Sequence, residues 1–238
     1  MENPLQILMC DKVIAVCVKP PGCISEPAPG RNLPALLSDR LQSQGESGDV
    51  YTVHRLDREV GGLMVLARTH EAASQLIGQF SSHTVRKEYY AVMRGVPAQA
   101  HALLEDLLFR DAAKNKSYVV TRPRKGVRSA KLEYVLLDTV TDGETPLSLV
   151  RIRLFTGRTH QIRVQFASRQ LPLVGDGRYG GRDERCEIAL FACALGFRHP
   201  TKRRPLQFYR QPDLDTFPWN CFPKKDYVSI SPFSTQDT

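Results

Sequence analysis

Residues 63–67 (Leu63, Met64, Val65, Leu66, Ala67) make a short unbroken apolar run, and a knot of charge stands directly before it. The knot reads Val53-His54-Arg55-Leu56-Asp57-Arg58-Glu59-Val60-Gly61-Gly62, with a His, two Arg and two carboxylates inside six residues. An apolar run this short, with a glycine pair at its head, reads as a buried strand. The fold must therefore bring a dense polar stretch to the rim of its core. A polar group buried without a partner costs about 1–3 kcal/mol or more, so these side chains are paired or functional. Asp57 is the leading candidate for chemistry.

The rest of the chain supplies the architecture. Residues 7–10 and 13–18 read as two short strands around Asp11-Lys12, and Lys19-Pro20-Pro21-Gly22 ends the second, because proline cannot donate to a ladder. Leu33, Leu36, Leu37 and Leu41 recur at helical spacing and predict a helix over residues 33–42. Thr69 is placed to cap a helix that carries Glu71 early and runs to about Phe80. Residues 85–94 alternate as a strand with Lys87 and Tyr89 on one face. Residues 129–137, 147–155 and 188–197 predict further strands, and residues 159–169 a helix. With more strands than helices and several hairpin-length connections, the order argues for α+β, with a mixed, largely antiparallel central sheet flanked by helices and loops. No repeat or linker divides the chain, so residues 1–225 are expected to form a single domain, with a loose tail over 226–238.

At 238 residues, a single core can bury about 70–75% of the unfolded surface without disulfides or metal. The six cysteines show no metal-binding or paired spacing, which points to a reduced, cytoplasmic protein. The N-terminus lacks the pattern of a signal peptide, and no apolar run approaches membrane-spanning length. The net charge of +8 is unevenly placed. Arg110, Lys114, Lys116, Arg122, Arg124, Lys125, Arg128 and Lys131 stand against the single acid Asp111, and residues 151–169 and 198–210 each hold five basic residues and no acid. Such clusters suit phosphate contacts, although each taken alone also fits a solvated face.

Other signatures are weaker. Gly175-Asp176-Gly177-Arg178-Tyr179-Gly180 matches GxGxxG, but the residues after it have no apolar face to open a helix, so it reads as a tight turn. His54-Arg55-Leu56-Asp57 echoes a kinase catalytic loop without the phosphate loop, paired lysine or DFG that a kinase needs. His54, Asp57 and His70 lack a well-placed further metal ligand. In Thr156-Gly157-Arg158-Thr159-His160-Gln161-Ile162-Arg163, two arginines stand five apart on a turn into a helix, and a semi-buried carboxylate such as Asp57 needs a cation of that kind.

Together these motifs resemble the RluA type of pseudouridine synthase. Lys19-Pro20-Pro21-Gly22 resembles its KPxG turn, His54-Arg55-Leu56-Asp57 with Gly62-Leu63 its HRLD motif, and Lys87-Glu88-Tyr89-Tyr90-Ala91 with Gly95 its KxYxA strand. The stretch from Thr156 to Arg163 matches its TGRTHQIR motif, and Gly175-Asp176 with Tyr179-Gly180 its GD..YG turn. The resemblance implies the pseudouridine synthase catalytic fold and the isomerisation of uridine to pseudouridine in ribosomal or transfer RNA, without cofactor or metal. It implies Asp57 as the catalytic aspartate, a nucleophile or the base of a glycal route. It also implies Tyr89 stacked on the target base, and Arg163 paired with Asp57, where a cation lowers a carboxylate pKa by roughly 1–3 units. Arg55 would fill the gap left by the flipped uridine, with His54, Lys87, Arg158 and His160 as further RNA contacts. A monomer is expected, with no room before the catalytic fold for the small S4 domain of many relatives. The sequence departs from the family at Val60-Gly61, where Thr-Ser is usual. That departure motivates an alternative, a catalytically impaired RNA-binding protein on the same scaffold. A carboxylate-based nucleoside hydrolase would need a second carboxylate, for which Glu59 is a poor candidate.

Overall fold

The structure, a computed structural model, describes residues 5–224 and Phe233. Among these residues the chain runs β1 (Gln6–Cys10), β2 (Ile14–Lys19), α1 (Leu33–Gln42), β3 (Tyr51–Thr52), β4 (Gly61–Ala67), α2 (His70–Ser81), β5 (Arg86–Arg94), β6 (His101–Asp111), β7 (Lys116–Val120), β8 (Val127–Asp142), β9 (Thr145–Leu154), α3 (Gln161–Ala167), β10 (Leu190–Arg198) and β11 (Pro205–Tyr209). This is an α+β fold with largely antiparallel pairing, as the element order predicts. The chain gathers into two compact units: the chain up to Arg86 with Ala192–Arg210, and Lys87–Phe191 with the chain from Gln211.

In the first unit, β2 pairs antiparallel with both β1 and β4, setting Val16 opposite Val65 and Ile14 opposite Ala67. Every residue of β4 is buried, because sheet neighbours and packed side chains cover it on all sides. Leu63 and Val65 join Ile14 and Val16 in a core that α2 closes with Ala72, Ala73 and Leu76. The Thr69 hydroxyl caps α2 by accepting the Ala72 N–H at 3.2 Å, as its position predicts. Helix α1 has the bounds its leucine spacing indicates, with Asn32 accepting the Ala35 N–H at 2.9 Å and Leu33, Leu37 and Leu41 buried.

In the second unit, β5, β9, β8, β6 and β7 lie side by side in that order, all antiparallel. β8 extends well beyond residues 129–137. β10 falls on the strand read at residues 188–197, whereas β6, β7 and β11 have no counterpart in the sequence pattern. Their apolar residues do not alternate: Leu103-Leu104 and Leu107-Leu108 fall in pairs, so no period of two emerges. Helix α3 begins at Gln161 rather than Thr159, because His160 takes a left-handed conformation (φ 55°, ψ 25°) that no helix continues. The residues around GxGxxG form a turn in which the Tyr179 and Gly181 N–H groups both donate to the Asp176 carbonyl. The tail expected over 226–238 lies outside the described residues, apart from Phe233, which is buried.

Candidate active site

The loop between β3 and β4 carries His54, Arg55 and Asp57, and buried side chains from the preceding segment hold it by its backbone. Lys19 is fully buried, and its ammonium donates to the carbonyls of Cys23 (2.7 Å), Arg58 (3.0 Å) and Pro20 (3.1 Å). Three donors meet three acceptors, which offsets the cost of burying the charge. Ser25 grips the other side of the loop: its hydroxyl donates to the Leu56 carbonyl at 2.8 Å and accepts the Leu56 N–H at 3.0 Å. Both neighbours of Asp57 are thereby pinned, and the Val60 N–H closes a turn onto the Asp57 carbonyl at 3.1 Å. Asp57 itself is half-buried.

His54 braces the same loop against the core. Its Nε2 accepts the Val65 N–H at 3.1 Å, and its ring stacks on Phe80 at 4.4 Å between centroids. Arg55 is exposed and reaches Glu26 at 3.0 Å. The departure at Val60-Gly61 falls where the loop enters β4. Val60 is buried, and a Cβ at Gly61 would stand 3.2 Å from Pro21 Cδ. At Gly62, with φ 125°, a Cβ would meet the Ala192 carbonyl oxygen at 2.4 Å, so only glycine fits.

In the second unit, Tyr89 lies in β5 opposite Ile152 and is 9% exposed. Lys87, on the same face, sets its ammonium against Gly157, where an added Cβ would be 3.8 Å away. Burial, reinforced by the charge of Arg158, pulls the Lys87 pKa below its ordinary value. Arg158 donates through Nε to the Ser129 carbonyl at 2.9 Å. The turn is shaped by Gln161, whose side-chain oxygen accepts from the Thr156 hydroxyl (2.8 Å) and the Arg158 N–H (3.0 Å), while its amide donates to the Lys131 carbonyl (3.1 Å).

Arg163, buried in α3, makes a two-pronged pair with the buried Asp176: Nε and Nη2 each lie 2.8 Å from a carboxylate oxygen. Its guanidinium also sits 5.4 Å from the Tyr179 ring centroid, with Lys116 at 5.1 Å from the same ring. The Tyr179 hydroxyl accepts the Ser117 N–H at 2.8 Å and lies 3.1 Å from His160 Nδ1. The supporting roles of Lys19, Ser25, Gln161, Asp176 and Tyr179 are not legible from single-residue patterns. Asp176 and Lys19 do stand inside motifs the sequence marks out, which is the signal that could have found them.

Among the described residues, no three His, Cys, Asp or Glu side chains gather to ligate a metal, and no helix is long and apolar enough to cross a membrane. The six cysteines are free. Burial pushes the Cys17 thiol up to about 12 and that of Cys186 to about 11, so neither is a thiolate nucleophile at neutral pH.

A model of the RNA pseudouridylate synthase family matches residues 13–168. The chain belongs to this family. Pseudouridine synthases are isomerases, and this one, of the RluA type, takes uridine in RNA to pseudouridine. It is 33% identical over 219 residues to an uncharacterized RNA pseudouridine synthase of Aquifex aeolicus, across 84% of this chain and 67% of that one. It is 31% identical over 226 residues to ribosomal large subunit pseudouridine synthase D of Zymomonas mobilis, across 87% and 69% of the two chains. The solved structure of human RNA pseudouridylate synthase domain containing 1 shares the fold, with a TM-score of 0.74 at 24% identity, covering 90% of this chain and 87% of that chain.

Proposed function

We propose that this synthase isomerises uridine in ribosomal RNA, with Asp57 as the catalytic carboxylate acting on a flipped-out nucleotide. The observation that carries the assignment to Asp57 is the clamp on its loop. A fully buried lysine and a buried serine hold the backbone on both sides of this one half-buried carboxylate, a degree of fixing that a solvated surface loop does not need. In this reading Asp57 attacks ribose C1′, or removes the C2′ proton to form a glycal; either way the N-glycosidic bond breaks, and the freed uracil turns and re-bonds to C1′ through C5. Tyr89 stacks on the base and assists removal of the C5 proton, and Arg163 keeps Asp57 ionised. Arg55 fills the vacated stack, costing less than an empty gap when flipping itself costs a few kcal/mol. Lys87, Arg158 and His160 contact the target nucleotide; a phosphate beside Lys87 and Arg158 would relieve the repulsion between two neighbouring cations. His54 serves the site by fixing the loop.

The exposed cations on the β7–β8 turn grip the RNA around the target. Ribosomal RNA is favoured over transfer RNA by the similarity to the Zymomonas relative, a ribosomal large subunit pseudouridine synthase. The free cysteines fit a reducing, cytoplasmic setting, and a monomer is the state proposed.

Incubation with ribosomal RNA tritiated at uridine C5 tests the core of this reading. Wild-type protein should release tritium, and Asp57→Asn should release none. Release by the variant at the wild-type rate would remove Asp57 from the chemistry, and release only from transfer RNA would change the substrate.

A further inference from the structure

The first unit carries a second concentration of positive charge that the reaction does not use. The turn from β10 to β11 reads Arg198-His199-Pro200-Thr201-Lys202-Arg203-Arg204, with four cations and no carboxylate. All four cations are exposed, whereas His199 is 1% exposed.

The turn is built rather than loose. His199 Nδ1 accepts the backbone N–H groups of Lys202 at 3.1 Å and Thr201 at 3.3 Å, which leaves its ring proton on Nε2. Nε2 then donates to Asp11 Oδ2 at 2.9 Å. Asp11 belongs to the β1–β2 turn, where its other oxygen accepts the Val13 and Ile14 N–H groups, each at 2.9 Å. The part-buried His–Asp contact therefore fastens one turn to the other and adds the exposed Lys12 to the group. From α2, Gln79 reads the backbone of Arg198 with both ends of its amide, donating to the carbonyl and accepting the N–H, each at 2.8 Å. Arg203 is held at φ 52°, a conformation an arginine rarely adopts.

The only acid in this framework, Asp11, is occupied by two backbone N–H groups, His199 and Lys202, the last at 3.0 Å. Five cations are thus kept together by a fixed backbone, against their mutual repulsion. A solvated basic loop would relieve that repulsion by spreading, whereas a fixed array binds a polyanion without an ordering cost.

We propose that this two-turn surface, Lys12 with Arg198, Lys202, Arg203 and Arg204, is a second RNA-binding surface that holds phosphates other than that of the target nucleotide. The proposal rests on the reading of RNA as substrate and adds where the substrate is held. The partner is recognised by the charge of its backbone and not by its bases, so the contact is strong, salt-dependent and indifferent to sequence.

The test compares wild type with Lys12→Gln/Arg203→Asn/Arg204→Gln. These positions are exposed, Asn tolerates the left-handed backbone, and Lys202 is kept because it pairs with Asp11. The probe is a labelled transcript of large-subunit ribosomal RNA, with affinity measured across a salt series and tritium release followed in parallel. The expected result is an affinity about tenfold or more weaker near physiological salt, a slope of log K against log salt smaller by roughly two, and an unchanged single-turnover rate at saturating RNA. An unchanged affinity and slope would overturn the surface, as would a variant that loses binding to phosphatidylserine vesicles while keeping its RNA affinity. Absence of tritium release by the wild type, with charge-dependent binding intact, would instead overturn the catalytic reading and leave the surface standing.

Discussion

Arg163 owes its fixed position to Asp176. Both side chains are almost wholly buried, and each is the other's charge partner through two parallel hydrogen bonds. A buried pair of this geometry is strongly destabilising to break, since the remaining buried charge loses two parallel hydrogen bonds, at about 3–5 kcal/mol. Asp176→Ala should therefore lower stability by that order in urea unfolding. Asp176→Ala combined with Arg163→Met should cost clearly less than the sum of the two single changes, because contacting residues couple. Strict additivity would show that the two side chains do not depend on each other. Asp176→Asn, which keeps the shape but weakens the acceptor, should lower kcat more than it raises KM if Arg163 serves to keep Asp57 ionised. At this scale the sequence was legible for the residues with strong chemical identity. Asp57, Tyr89 and Arg163 were singled out by motif, while Asp176 was read only as part of a turn. Its partner stands thirteen residues earlier, across a helix and a turn, and no local spacing expresses that meeting.

Elements with a clean period were read almost to the residue. The leucines of α1 and the unbroken run in β4 each have one structural explanation, and the predicted bounds stand within two residues of those found. In the β6–β7–β8 meander only residues 129–137 of β8 carry a readable alternation; paired leucines in β6 and many charges in β7 obscure the rest, although the charge itself marks a phosphate-binding stretch. The β7–β8 turn exposes Arg122, Arg124 and Lys125, and the start of β8 exposes Arg128, with Arg124 lying over Phe109 at 4.7 Å. Changing Arg122, Lys125 and Arg128 to Ala should weaken RNA binding and flatten its salt dependence by roughly two units of slope. An undiminished slope would mean that the turn is only solvated. The β4 strand gives a contrasting test. Gly62→Ala places a methyl into the Ala192 backbone at a strained φ and should destabilise by more than about 2 kcal/mol. Gly61→Ser meets only the edge of the Pro21 ring and should fold, with a small loss in melting temperature.

At the scale of the molecule, both units rely on carboxylates whose pKa values are pulled below the ordinary range, and this sets the response to acid. In the first unit, partial burial raises the Asp11 pKa, but the N–H groups of Ile14 and Val13 with His199 and Lys202 more than offset it, leaving the carboxyl well below its usual value. In the second unit, Arg185 hydrogen-bonds Asp183 and Asp142, and this contact holds both carboxyls down. Arg94 adds a further contact to Asp183 at 2.7 Å. A carboxylate with a depressed folded pKa binds fewer protons folded than unfolded. Its contribution is therefore complete above the unfolded value of about 3.9 and is lost as pH falls through that value towards the folded one. The melting temperature should be flat from pH 7 to about 5 and then fall steadily towards pH 2.5. Asp11→Asn and Asp183→Asn should each lower it at neutral pH and make the acid decline shallower, because the group that would have been protonated is gone. The two substitutions should act additively, since Asp11 and Asp183 share no partner. An acid decline as steep in the double variant as in the wild type would place the sensitivity on other groups.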